Sequence, residues 1–181
     1  LGPRSIVVAS SGNAAASAAA YAAAAGLPCY VIVPDSTDIS KVQQALAYGA
    51  TLFSVPGTYS DAFAFTKVAA ETFGFANVTS TYVNPYTVEG DKTIAYELKQ
   101  VPDYILVPIG SGPLLTGVLK GFKEMLHFKA IDRLPKMIGV QAAECAPIVN
   151  AFNENRPTAE WDASCETIAT GIADPLSGYT G

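Results

Sequence analysis

The stretch SIVVASSGNAAASAAAYAAAAGLPCYVIV, Ser5 to Val33, decides the fold class, because it runs from β-branched to alanine-rich and back to β-branched residues without a charge. Its first run, Ser5 to Ser10, is short and apolar, the composition of a parallel strand covered on both faces. A turn follows at Ser11-Gly12-Asn13. From Ala14 to Ala25 ten of twelve residues are alanine, the strongest helix former and a side chain small enough for a backbone or ligand to come close. Gly26 stops the helix, and Cys29 to Val33 reads as the next buried strand. The uncharged span between Arg4 and Asp35 is long enough to cross a membrane. Gly12-Asn13 and Gly26-Leu27-Pro28 punctuate it, however, so strand, helix, strand is the reading.

The same alternation continues outward. Asp38 or Ser40 can cap a helix running through Tyr48, Gly49 ends it, and Thr51 to Val55 returns as a strand. Ser60 caps a further helix whose inward stripe is Ala62, Phe65, Ala69 and Phe73, with Asp61, Lys67 and Glu71 left for water. A weaker extended stretch, Asn77 to Val83, precedes a helix that Thr87 can cap. Asp103 to Ile109 is a strand, and the helix after Gly110-Ser111-Gly112-Pro113 turns Leu115, Val118, Leu119, Phe122, Met125 and Leu126 inward. Lys136 to Gln141 is another strand. Buried strands alternating with helices demand crossover connections, so the class is α/β with two open, mostly parallel sheets flanked by helices. The lobes are read as residues 1–87 and 88–181.

Composition limits the partners. The 181 residues fit one large domain or two lobes at about 150 residues per domain, and half of them are apolar, enough for a substantial core. Eleven Lys and Arg against sixteen Asp and Glu give a net charge of −5, so no nucleic acid is expected as a partner. No signal peptide or spanning helix is read, and no membrane partner is expected. Cys29, Cys145 and Cys165 are too far apart for a paired metal spacing and are read as reduced thiols of a cytoplasmic protein. With His127 the single histidine, at the end of a helix, neither a Ser-His-Asp triad nor a multi-histidine metal site can be built, and no metal is expected.

Two places share one design, a buried strand running into a small-residue turn that opens a helix: Ser10-Ser11-Gly12-Asn13 and Gly110-Ser111-Gly112. The first amides of a helix have no partner and lie at the positive end of its dipole, so each turn can hold an anion. Each is also an ordinary turn and cap when taken alone. None of the three arginines lies beside either turn, so an anion bound there is held by backbone amides. Nucleotide motifs fit poorly. Gly112 and Gly117 have a Walker spacing, but Val118 stands where lysine is required. Leu115 replaces the third glycine of a dinucleotide fingerprint, and Glu144 lies too far on for its acidic residue.

SSGN (10–13), AYGA (47–50), NPYTVEGDKT (84–93), VPIGSGPLLTG (107–117), IGVQAA (138–143) and TIATGIA (167–173) stand in an order that resembles the fold-type II pyridoxal-phosphate enzymes of the tryptophan synthase β superfamily. The threonine synthase branch is the most similar, with the threonine dehydratases and cysteine synthases as cousins. The resemblance implies pyridoxal 5'-phosphate as cofactor and a small amino-acid substrate. It implies that Asn13 meets the cofactor's ring hydroxyl, that Ser10, Ser11, Gly12 and Asn13 hold the substrate carboxylate, and that Gly110, Ser111, Gly112 and Leu114 hold the cofactor phosphate. Pro113 sits in that loop without an amide to give, although proline suits a first helical position. Asp91 stands where related sequences often carry glutamine.

The reaction so implied converts O-phosphohomoserine and water to threonine and phosphate. A dehydratase making a 2-oxo acid and ammonia is the first alternative, and a non-catalytic anion- or nucleotide-binding domain the second. A homodimer is the default assembly. In the family the cofactor is carried as an imine on a lysine preceding the SSGN turn, and its pyridine-nitrogen partner follows later. Both are expected outside residues 1–181, the ends reading as cut, and no catalytic residue is assigned within the chain. Pyridoxal phosphate added to the isolated chain is therefore expected to give no imine absorbance beyond that of scattered surface lysines. Borohydride trapping of a stoichiometric adduct at one lysine would contradict this.

Overall fold

The uncharged opening stretch folds as its composition dictates. In a computed structural model, which describes residues 4–158, 161, 165 and 167–174, strand β1 (Ile6–Ala9) is wholly buried and leads through the Ser10–Gly12 turn into helix α1 (Asn13–Ala25). Gly26 takes the left-handed conformation, φ 66°, that closes α1. Strand β2 (Cys29–Pro34) then lies parallel beside β1, with Ile6 opposite Cys29 and Ala9 opposite Ile32. The alanines Ala15, Ala19 and Ala22 are buried against Val8, Val31 and Val33. Small side chains let the helix axis sit close to the sheet, and one core results.

Strand β3 (Thr51–Val55) joins the outer edge of β2, and a two-residue strand β4 (Ala76–Asn77) returns beside β1, giving an all-parallel sheet in the order β3-β2-β1-β4. Between β2 and β3 the expected single helix is broken into a 3-10 turn at Ile39–Lys41 and a short helix α2 (Gln43–Ala47). Asp38 caps the turn by accepting the Ser40 amide at 2.8 Å. Helix α3 (Tyr59–Phe73) is capped by Thr58 rather than Ser60, with the Asp61 carboxylate accepting from the Thr58 amide at 2.7 Å. Those hydrogen bonds hold the Asp61 carboxyl below its ordinary range.

The stripe expected to face inward on α3 is half right. Ala62 and Ala69 are buried with Phe63 and Thr66, but Phe65 and Phe73 are 48% and 66% exposed. The helix has apolar residues on more than one face, and the buried face is the one carrying Ala62, Phe63, Thr66 and Ala69, with Ala62 packed against Val7 and Ile32. The expected strand at 77–83 reduces to β4, after which side-chain hydrogen bonds replace the ladder.

The chain divides into two compact units, Leu1–Asn84 and Pro85–Gly181. The second contains α4 (Pro85–Asp91), α5 (Thr93–Glu97), β5 (Tyr104–Pro108), α6 (Pro113–His127), β6 (Lys136–Val140) and α7 (Pro147–Asn153), with β5 and β6 parallel. Thr87 lies inside α4 and does not cap it. Val118 and Phe122 of α6 are buried as expected, but Gly117 and Gly121, not part of the expected inward face, are buried with them. A Cβ on Gly121 would stand 2.3 Å from the Lys92 carbonyl oxygen, and one on Gly117 2.4 Å from the Asp91 Cβ. The two glycines, one turn apart, form the groove in which the NPYTVEGDKT segment lies. Glu89, Lys92, Lys120, Glu124 and Tyr96 form a polar network over that groove, with Lys92 Nζ 2.7 Å from Glu89 and 3.2 Å from Glu124.

The reading of three reduced thiols is corrected. Cys145, fully buried between β6 and α7, is disulfide-bonded to Cys165, with the Cα atoms 4.9 Å apart, while Cys29 alone is free. Sequence spacing could not reveal this, because a return of the chain over twenty residues brings the pair together. Burial raises the Cys29 pKa and keeps it a thiol. No helix among the described residues is long and apolar enough to cross a membrane.

Asp91 is half-buried against Gly117, and desolvation raises its pKa. A raised carboxylate pKa means that the folded state holds its proton more tightly than the unfolded chain, so stability falls as pH rises from the ordinary carboxylate range through the raised value. Asp91→Asn is expected to stabilise the chain at pH 7 by up to about 1 kcal/mol. In urea melts the gain should disappear on acidification below the carboxylate range.

Candidate functional site

Both small-residue turns form as uncapped helix starts at the carboxyl ends of parallel strands. In the first, β1 ends at Ala9, and α1 begins at Asn13 with Gly12 as its N-cap residue and no side chain capping it among the described residues. The first intrahelical bond runs from the Ala16 amide to the Gly12 carbonyl at 3.2 Å, which leaves the amides before it pointing out of the helix start. Ser10 and Ser11 are half-buried, Gly12 and Asn13 exposed. The Ser10 hydroxyl accepts the Gly12 amide at 3.2 Å. Ser10 therefore shapes the turn, and one of its amides already has a partner.

In the second, β5 runs on through Ile109, whose amide donates to the Val140 carbonyl at 2.8 Å. Gly110 and Ser111 follow, and Gly112 opens α6 at φ 102°, a conformation that favours glycine. Pro113 occupies the first helical turn, buried, and supplies a fixed φ in place of an amide. Again no side chain caps the helix and its first turn carries no acidic residue. The amides of Ser111, Gly112 and Leu114 are thus available at the positive end of a fifteen-residue helix.

Two groups near the second turn were not singled out from sequence. The Gln141 carboxamide, at the end of β6, donates to the Gly110 carbonyl at 3.5 Å and accepts the Ile148 and Val149 amides at 2.9 Å each. It links the turn to the start of α7, and its place in the IGVQAA motif was the available signal. Asp174 is buried against Gly110, its Cβ 3.6 Å and Oδ2 3.9 Å from where a Gly110 Cβ would stand. It follows the TIATGIA motif, and nothing in local sequence indicates that this segment returns to Gly110.

Comparison with known proteins gives a consistent result. A family model described as "Pyridoxal-phosphate dependent enzyme" matches residues 1–180. The threonine synthase of Methanosarcina acetivorans is 37% identical over 178 residues, 95% of this chain and 44% of that protein. The threonine synthase of Methanocaldococcus jannaschii is 39% identical over the same shares. The chain thus spans less than half the length of these curated relatives. Among solved structures, the processed threonine deaminase isoform 2 of Solanum lycopersicum superposes with a TM-score of 0.78 at 22% identity, over 96% of this chain and 49% of that one. That likeness is one of fold.

The Asp174 carboxylate beside Gly110 opposes an anion at this helix start. Asp174→Asn is expected to tighten binding of inorganic phosphate severalfold, read from titration shifts of the Ser111, Gly112 and Leu114 amides. Unchanged or weaker binding would show that the anion does not occupy this turn.

Proposed function

The chain belongs to the pyridoxal-phosphate dependent enzyme family, and from that premise we propose that it serves a threonine synthase reaction, in which O-phosphohomoserine and water become threonine and phosphate. The observation that carries the reading is identity of 37–39% to proteins named threonine synthase over 95% of the chain. The dehydratase alternative has in its favour fold likenesses at 22–23% identity to threonine deaminases.

The donor sets suit the cofactor and substrate. A phosphate ester needs several convergent donors and little steric bulk. Gly110, Ser111, Gly112 and Leu114 offer backbone amides on a bare helix start, with Pro113 fixing its geometry. Gly110 and Gly112 have no side chain to fill the space. The substrate α-carboxylate needs fewer donors, and Ser11 and Asn13 offer amides at the start of α1, with the Ser10 hydroxyl holding the Gly12 amide and bracing the turn. The exposed Asn13 side chain carries the donor for the cofactor's ring hydroxyl. In this reading residues 1–87 carry the carboxylate function and residues 88–181 the phosphate function.

When bound, pyridoxal phosphate supplies an electron sink for protons leaving the carbons next to the amino group. The chain's own residues then bind and orient. The turn at Ser10–Asn13 fixes the carboxylate, and with it the face of the α carbon that is presented. The alanine surface of α1 keeps side-chain bulk away from the substrate. The amides at Gly110–Leu114 keep the phosphate from leaving with the product. A cytoplasmic setting and a homodimer go with this reading; the free Cys29 fits the setting, and the Cys145–Cys165 pair counts against it.

The test is product analysis of the intact gene product supplied with pyridoxal phosphate. Threonine and phosphate in equal amounts from O-phosphohomoserine are expected. A 2-oxo acid and ammonia from threonine or serine, with O-phosphohomoserine untouched, would replace this reading with the dehydratase.

A further inference from the structure

The sheet edge beside β1 ends before β1 does. Strand β4 pairs only Ala76 with Ile6 and Asn77 with Val7, and its last ladder bond runs from the Val78 amide to the Val7 carbonyl at 2.9 Å. By the alternation of a parallel ladder, the next donor on that side of β1 is the Ala9 amide. Ala9 is buried, so its amide requires a partner. The backbone has already turned away, and the Thr79 hydroxyl accepts the bond at 3.0 Å instead.

Thr79 is fully buried and is itself held by a chain of polar groups in which Thr66 is buried and Asn77 half-buried. Its amide donates to Asn77 Oδ1 at 3.0 Å, Asn77 Nδ2 donates to the Thr66 hydroxyl at 2.9 Å, and that hydroxyl donates to the Phe63 carbonyl of α3 at 2.7 Å. Every bond in the chain has a defined direction, which fixes the carboxamide of Asn77 and the rotamer of Thr79. A valine in place of Thr79 would fill the same space but leave the buried Ala9 amide unpaired, so the hydroxyl, more than the side-chain volume, specifies the geometry here. The run of hydrogen bonds ends one residue before Ser10, at the peptide that sets the direction in which the chain leaves β1 for the turn.

We propose that Thr79 is a positioning residue for the Ser10–Asn13 turn, aiming its amides at the substrate carboxylate by holding the Ala9 amide, with Asn77 and Thr66 as its support from α3. This rests on the carboxylate reading of that turn given above. A small misdirection of donors at a binding site costs affinity without unfolding the protein, so the effect appears in recognition of the carboxylate and not in the phosphate.

The test uses the full chain and two ligands, phosphopyridoxyl-L-threonine and its alcohol counterpart phosphopyridoxyl-L-threoninol, which lacks the carboxylate. The dissociation constant of the threoninol compound divided by that of the threonine compound, followed at the Ser11, Gly12 and Asn13 amides, isolates the carboxylate contact. Thr79→Val should cut that ratio by about tenfold, leave threoninol-compound binding within about twofold, and speed exchange of the Ala9 amide. Thr79→Ser, which keeps the acceptor, should restore both.

An unchanged ratio in Thr79→Val overturns the proposal while the carboxylate site stands. A wild-type chain that binds both ligands equally overturns the carboxylate reading, and one that binds neither overturns the cofactor reading; the proposal falls with either. If Thr79→Val does not fold, Thr66→Val carries the test, with a loss of about threefold in the ratio expected. No loss there overturns the proposal as well.

Discussion

The amides at a helix start have no partners within the helix, and where no side chain caps them they must be met by something else. In this chain two such starts, at Gly12 and Gly112, follow directly from the ends of parallel strands and carry no capping side chain. Both are built from residues too small to fill the space in front of them. A helix that needed only to be stable would have a serine or aspartate reaching back to its first amides, as Thr58 and Asp61 supply at α3. The short helices α2 and α5 also start without a capping side chain, so it is the bare start together with small residues at a strand end that supports the anion-binding proposal for Gly12 and Gly112.

Everything around those turns keeps them in place. The sheet order β3-β2-β1-β4 puts β1 in the interior, where both neighbours fix its register. The alanine face of α1 and the glycine groove of α6 do similar work by different means. Each removes side-chain volume so that a packed element comes close, Val8 and Val31 in the first case and the backbone around Lys92 in the second. Tight packing of this kind transmits small displacements, so groups away from the turns, such as Thr79 and Gln141, bear on their geometry.

Electrostatics enters through fixed dipoles and not through a basic pocket. No arginine stands beside either turn in sequence, and Lys92 and Lys120 of the second unit are paired with Glu89 and Glu124 on the helix surface. That network and the half-buried Asp91 make the NPYTVEGDKT segment a packing element of the second unit. Asp174 is buried beside Gly110, where an ionised carboxylate would temper the attraction of the helix start for an anion.

What the sequence determined by itself was local: strands read at 5–10, 29–33, 51–55, 103–109 and 136–141, the glycine stops and the two small-residue turns. These follow from propensity and periodicity, which act over a few residues and are read directly from neighbours in the chain. Tertiary structure decided which face of α3 is buried, turning Phe65 and Phe73 outward, and replaced the expected strand at 77–83 with the Thr79 hydrogen bonds. It paired Cys145 with Cys165 and brought Asp174 to Gly110. Each of these depends on contacts between segments far apart in sequence. Such contacts form only when the sheet order and the return of the chain have been chosen, and no rule of near-neighbour spacing contains that choice.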